Sequence, residues 1–382
     1  MDKVYLYKET EYTELAMDAL IEKLFAPYGG VEGLTAGKQR ILVKPNLVAK
    51  KSAESGTITH PLMMRALCKA LIAAGKTVTV AESHGGPYTQ ATARAQLSGC
   101  GMTAALEGLD VSLYTGAETV DMSAPNGLIC KRFEVIKPVT ETDLIINLCK
   151  LKTHALTSYS GAAKNTFGVV SGMHKFELHA RFTDIHHFTR MLNDLHLALP
   201  VGLNIVDGII GMEGNGPTAG IPKPYGFVAV GKNALLCDLV CADLIGIPPM
   251  EIPQLADAAQ RGLCPQAASF SHTNLTEAEY TAMRVTDTRL PDSHSAGAVS
   301  WIARVQRMGG GRVINIFRPK PKVKKSKCVG CGKCAEYCPV KTIEMKKGKP
   351  HIVRDKCIRC FCCQELCPIS AIYIKTNRIL KI

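Results

Sequence analysis

Eight cysteines toward the C-terminus constrain this chain more than any other feature. They form two runs of one spacing, Cys328-x2-Cys331-x2-Cys334-x3-Cys338-Pro339 and Cys357-x2-Cys360-x2-Cys363-x3-Cys367-Pro368. Three thiols at two-residue gaps can wrap one face of a compact inorganic core, and the proline after the fourth turns the chain away. Soft thiolates suit iron and delocalise an added electron. CxxC pairs also bind zinc, but two complete, symmetric sets with both prolines fit a pair of 4Fe–4S clusters. Nine of the sixteen cysteines fall between Cys328 and Cys367, whereas a disulfide framework would spread its pairs through a short secreted chain. The ninth, Cys362, reads as a spare thiol beside the ligand Cys363. The remaining seven (Cys68, Cys100, Cys130, Cys149, Cys237, Cys241 and Cys264) lie mostly in apolar segments and read as reduced core residues.

The double run resembles the two-cluster ferredoxins of bacteria, in which the fourth cysteine of each run ligates the other cluster. The resemblance implies one set of Cys328, Cys331, Cys334 and Cys367, and a second of Cys357, Cys360, Cys363 and Cys338. Between the runs, TIEMKKGKPHIV (342–353) supplies two short strands and a Lys-Gly turn. Neither set lacks a cysteine, so neither offers an open iron. Such a module carries single electrons at low potential to or from another site.

The residues before it alternate short β-branched runs with helical stretches. ILV (41–43), TVTVAE (77–82), LIINL (144–148), LNIVDG (203–208) and YGFVAVG (225–231) read as strands; LMMRALCKALIAAG (62–75) and NALLCDLVCADLIG (233–246) read as helices closing on glycine. This alternation predicts an α/β body with a mainly parallel sheet covered on both faces, joined to a small α+β ferredoxin-like domain. The expected division is a body over 1–317, a basic linker over 318–327, the cluster domain over 328–375 and a tail over 376–382. No internal repeat occurs in the body.

The formal charge is +13, and two oxidised clusters with their thiolates lower it to about +9. Six basic residues fall in Arg318–Lys327. That stretch reads as a solvated linker, an electrostatic partner of the clusters, or a docking patch for an acidic redox partner protein. No aromatic-rich motif accompanies it, so nucleic acid is not expected. No apolar run reaches the ~18 residues of a membrane helix. The opening MDKVYLYKETEYTEL lacks an apolar signal core. A cytoplasmic protein is expected; oligomeric state is not legible.

Five body segments interrupt apolar runs with polar residues: LVKPNLV (42–48), THP (59–61), AESHGG (81–86), CKLKTHALTSYSGAAKNTFG (149–168) and VDGIIGMEGNGPTAG (206–220). Each follows a strand or lies in a connection, where ligands of open α/β sheets bind. LVKPNLV, KLKTH followed by KNTFG, and DGIIGMEGNGP resemble the domain of unknown function 362 family, often fused to a ferredoxin module. The resemblance covers essentially the whole chain and implies no reaction.

The residues therefore carry the functional reading. Lys44, Lys152 and Lys164 sit in apolar surroundings near Asn46, His154 and Asn165. A buried lysine is costly unless it meets an anion, which points to a cationic pocket for a small anionic substrate or cofactor. The bland alternative has these lysines reaching solvent or pairing with Glu82, Asp207 or Glu213. Lys152, His154 and Lys164 are the candidate proton donors and acceptors. Lys44, Asn46, Asn165, Asp207 and Glu213 are the candidate substrate ligands. VDGIIGMEGNGPTAG lacks GxGxxG, and Pro217 removes an amide donor, so a flavin is possible without a motif behind it. It reads as a tight loop bringing Asp207 and Glu213 to the site, to bind a metal or neutralise the lysines. Six of eleven histidines lie between positions 154 and 196; a helix would place His179 and His186 two turns apart on one face, and no zinc-like pairing emerges. The expected function is a ferredoxin-linked oxidoreductase. A non-catalytic electron carrier, or a non-redox enzyme with structural or sensory clusters, stands as the alternative.

Overall fold

The computed structural model describes residues 2–294 and 319–375. Its strands are β1 (Tyr5–Lys8), β2 (Arg40–Lys44), β3 (Thr77–Val80), β4 (Val111–Leu113), β5 (Thr119–Ser123), β6 (Arg132–Ile136), β7 (Leu144–His154), β8 (Ser158–Ser160), β9 (Val201–Glu213) and β10 (Ile221–Gly231). The main sheet runs β1-β10-β9-β7-β2-β3-β4, with β8 folded back on β7, while β5 and β6 form a separate hairpin. The pairs from β9 to β4 are parallel, and β10 and β1 add an antiparallel edge. The body is thus α/β with a mainly parallel sheet.

Side-chain alternation divides the core. Ile41 and Val43 of β2 pack with Met17, Leu20 and Leu24 of the Glu14–Phe25 helix and Leu67 of the Pro61–Ala73 helix. Leu42, between them, packs on the opposite face with Phe188, Met191 and Leu192 of the Ile185–Ala198 helix. Period-two alternation in a sheet covered on both sides produces this split. The apolar Ala234–Leu244 helix is buried at ten of its eleven positions, packing beside Val206 and Phe227.

Three sequence expectations change. The GIIGME stretch is not a loop: β9 continues to Glu213, and only Gly214–Gly220 turns. Its glycines permit close packing, since a Cβ at Gly211 would stand 2.6 Å from the Leu151 carbonyl. The histidine-rich stretch is not one helix. Gly172–Arg181 and Ile185–Ala198 are separate, because Asp184 accepts from the His186 and His187 amides and starts a new helix. The basic stretch is not a free linker from Lys320 onward, since Lys320–Val323 forms β11 and pairs antiparallel with β14 (Ile372–Lys375).

The module is completed by β12 (Ile343–Lys346) and β13 (Lys349–Ile352), an antiparallel pair. Lys347 and Gly348 take φ of 49° and 69° at its turn, the positive angles of a tight hairpin. Ile343 and Ile372 pack among Cys338 and Cys363. The 376–382 tail lies outside the described residues.

Candidate site between the α/β body and the cysteine module

β7 crosses the centre of the sheet with every residue buried, including Lys150, Lys152 and His154. Burying lysine amines requires acceptors, and the sequence supplies them from neighbouring segments. Lys152 Nζ donates to Asn46 Oδ1 at 2.6 Å and to the Thr57 carbonyl at 2.8 Å. Asn46 donates to Asn165 Oδ1 at 2.7 Å, Asn165 to Asn147 Oδ1 at 2.7 Å, and Asn147 to Asn204 Oδ1 at 2.8 Å. Four asparagines from four segments thereby fix the LVKPNLV loop, the Ala162–Asn165 helix and the sheet in one register. Each amide satisfies the next, as buried polar groups must.

These elements wall a cavity of about 100 Å³ at the carboxyl ends of the parallel strands. Lys152, Lys164 and Lys175 face it together with Ser83, His84, His154, Phe167, Phe176 and His179. Burial pushes Lys152 down to about 7, with help from Lys164 and Lys150. Burial likewise lowers Lys175 to about 7 against the opposing charge of Glu82, and lowers Lys164 against Glu365. His84 falls to about 4 and His179 to about 3, both mainly by burial, so both rings are neutral at pH 7. The Ser83 hydroxyl and His84 Nδ1 are buried in the cavity wall and have no hydrogen-bond partner among the described residues. The amides of Leu156 and Thr157 donate to His154 Nδ1 at 3.1 and 3.4 Å, which leaves Nε2 as the nitrogen that carries a proton. Nε2 faces Glu365 Oε1 at 3.5 Å.

Of the sequence-predicted residues, Lys152, His154, Lys164, Asn46 and Asn165 line this one cavity. Lys44 is fully buried behind it, ion-paired with Glu82 beneath Gly168. Asp207 and Glu213 are elsewhere. Asp207 accepts from Lys150 at 2.5 Å and from the Tyr12 hydroxyl at 2.7 Å, while Glu213 pairs with Lys223 at 3.2 Å and accepts from the Arg289 amide at 3.0 Å. Both acids are consumed by cations outside the cavity because β9 continues as strand where a loop was expected. Lys175 escaped sequence reading, yet its signal is there: positions 172, 175, 176 and 179 have the i, i+3, i+4, i+7 spacing of one helix face.

The opposite wall comes from the module. Cys362, Glu365 and Leu366 line the cavity. Phe361 packs with Ala155 and Leu156 of the body, and Tyr337 stacks on Phe176 with ring centres 5.9 Å apart. Gln364 donates to the Asn215 carbonyl at 3.0 Å, and Thr218 to the Glu365 carbonyl at 3.2 Å. Cys362, a spare thiol by sequence, is a buried part of this seam.

The eight cysteines fall into two groups of four. Cys328, Cys331, Cys334 and Cys367 border one cavity. Cys338, Cys357, Cys360 and Cys363 border another. Thiols spread around a cavity fit a cluster core. No disulfide forms among the described cysteines.

An α/β body bearing a two-cluster cysteine module defines an iron–sulfur protein with a ferredoxin-type domain. A 4Fe–4S dicluster domain matches residues 320–368, and the domain of unknown function DUF362 matches residues 41–243. The chain belongs to the DUF362 family. A thylakoid-associated protein of Synechocystis sp. is 29% identical over 272 residues, 70% of this chain and 82% of that protein. The lactate racemase apoprotein of Thermoanaerobacterium thermosaccharolyticum aligns with a TM-score of 0.33 and 15% identity, over 53% of this chain and 50% of that one. The chain thus spans about half of that structure. Among the described residues no helix is long and apolar enough to cross a membrane.

Proposed function

We propose that this chain is a ferredoxin-linked oxidoreductase whose small anionic substrate or cofactor sits in the cavity between body and module. One observation carries the reading: a single cavity has three lysines on its body side and Cys362 on its module side, between the cluster ligands Cys360 and Cys363. When bound, the clusters supply electrons one at a time. The chain's own residues do the rest. Lys164 and Lys175 hold the anion, and Asn46 and the Thr57 carbonyl orient the Lys152 amine toward it. Lys152 titrates near neutrality, which suits a proton donor. His154, with Nε2 presented at the seam, is the second candidate donor. Phe167, Phe176 and Leu366 restrict water.

The test begins with anaerobic purification and quantification of iron, sulfide and flavin in one sample, followed by turnover with reduced clusters over a panel of carboxylate and phosphate compounds. Lys152→Ala with Lys164→Ala is expected to lower turnover by at least ~100-fold, in the range of a lost general acid, with iron content unchanged. A double variant that retains turnover, or a wild-type chain that only relays electrons to artificial acceptors, would establish the carrier instead.

A further inference from the structure

The two ends of the cluster module have opposite surroundings. Cys363, at the body side, is buried, whereas Cys331 of the other set is exposed. Beside Cys331, Val329 is 69% exposed and Ile369 is 38% exposed, and both border the cavity of that set. Lys324, Lys325 and Lys327 are exposed just before Cys328, in a turn closed by the Lys327 and Cys328 amides donating to the Lys324 carbonyl at 3.0 and 3.2 Å. The β12–β13 turn presses against the same loop, since a Cβ on Gly330 would stand 2.5 Å from the Gly348 carbonyl. That contact brings the exposed Lys347 to the tip.

Residues 319–375 hold fourteen Lys and Arg against four Asp and Glu. Two oxidised clusters with their thiolates offset about four of the surplus charges, leaving the module near +6. The pairing of β11 with β14 even sets Lys320 opposite Lys375, a like-charge pair that weakens a sheet. A surplus that costs stability and surrounds an exposed ligand cysteine calls for an anionic partner.

We propose that this tip is an electron-entry dock for an acidic one-electron carrier protein. Its carboxylates meet Lys324, Lys325, Lys327 and Lys347, and its redox centre abuts Val329, Cys331 and Ile369. The carrier loses one electron and the outer cluster gains it; no bond or proton changes hands. An anionic lipid surface would satisfy the lysines but delivers no electron, and two exposed apolar side chains give a membrane little to hold. The inference concerns cluster reduction alone and does not depend on what occupies the body cavity.

The probe is a reduced plant-type 2Fe–2S ferredoxin, an acidic protein, mixed anaerobically with the holoprotein while cluster bleaching is followed by stopped flow. Screening is expected to lower the second-order rate about tenfold or more between low and roughly 0.5 M salt. Lys324→Glu, Lys325→Glu and Lys347→Asp together are expected to lower it about tenfold at low salt, while iron content and reduction by photoreduced deazaflavin stay unchanged. If charge reversal costs iron, the Gln, Gln and Asn versions decide, with a smaller loss expected. A rate indifferent to salt and to both variants overturns the dock. So does loss of binding to phosphatidylserine vesicles in the variants with the carrier rate intact, which assigns the tip to a lipid surface.

Discussion

Lys152 is 1% exposed and still carries an amine that titrates near neutrality, a combination that ties anion binding to protons. Burial is the largest cause of its lowered value, and Lys175 shares both the cause and the value of about 7. An anion placed between these amines favours their charged forms and raises them again. Below pH 7 the amines already hold their protons, so binding there takes up almost none. Above pH 7 the free cavity has lost protons that the occupied one recovers, so binding takes them from buffer and weakens as pH rises. Calorimetry with phosphate or a dicarboxylate, in two buffers of different ionisation enthalpy, is expected to show uptake of about one proton or more per anion near pH 8. Near pH 6 uptake should be close to zero. Equal affinity and no uptake across that range would remove both lysines from the anion site. His84 and His179, held neutral to about 4 and 3, do not contribute to this window.

The Ala162–Asn165 helix has four residues, too few to hold its own position. Asp238, on the Ala234–Leu244 helix, accepts from the Ala162 amide at 2.6 Å, the Ala163 amide at 2.9 Å and the Tyr159 hydroxyl at 3.2 Å. The short helix carries Lys164 at one end of this anchor and Asn165 of the asparagine chain beside it. Asp238→Ala leaves two buried amides without an acceptor, a loss of about 1–3 kcal/mol for each group. The expected outcome is a lower Tm, together with at least a tenfold weaker anion affinity and unchanged iron content. A lower Tm with anion affinity intact would make Asp238 a prop of the fold without a hold on Lys164. Elements such as this mark the boundary of what the sequence discloses. The strands around Ile41, Val78, Ile145, Ile205 and Val228 were legible from β-branched runs, and the cysteine sets from their spacing. Lys152, His154, Lys164, Asn46 and Asn165 stand out in the sequence as polar residues at strand ends or in glycine-flanked loops. Asp207 and Glu213 were misplaced because a glycine-rich stretch reads locally as loop, while β7 and β10 pair with it and hold it as strand. The helical spacing of positions 172, 175, 176 and 179 carried Lys175, whereas the Cys362–Leu366 wall belongs to long-range packing, which no local pattern records.

At the scale of the whole molecule, the electrons proposed to enter at the exposed Cys331 are proposed to leave across a seam that is largely apolar. Phe361 against Ala155 and Leu156, and Tyr337 against Phe176, join module to body, with hydrogen bonds from Gln364 and Thr218. Burying one such aromatic contributes about 1.5–3 kcal/mol, so a few contacts of this kind hold the module closed over the cavity. Entry is accordingly expected to respond to salt, and closure to apolar packing. Leu156→Asp separates the two. A carboxylate set against Phe361 must either stay unpaired in an apolar seam, at several kcal/mol, or push the seam open, which costs less. Hydrogen exchange is expected to rise over residues 154–160 and 360–366, and turnover to fall at least tenfold, because the module wall no longer closes on the anion. Reduction by the acidic carrier should be unchanged, since the Cys331 tip lies away from the seam. If exchange rises and turnover does not fall, the electrons reach their acceptor somewhere other than the cavity beneath Cys362, and the lysines of the body serve a different site.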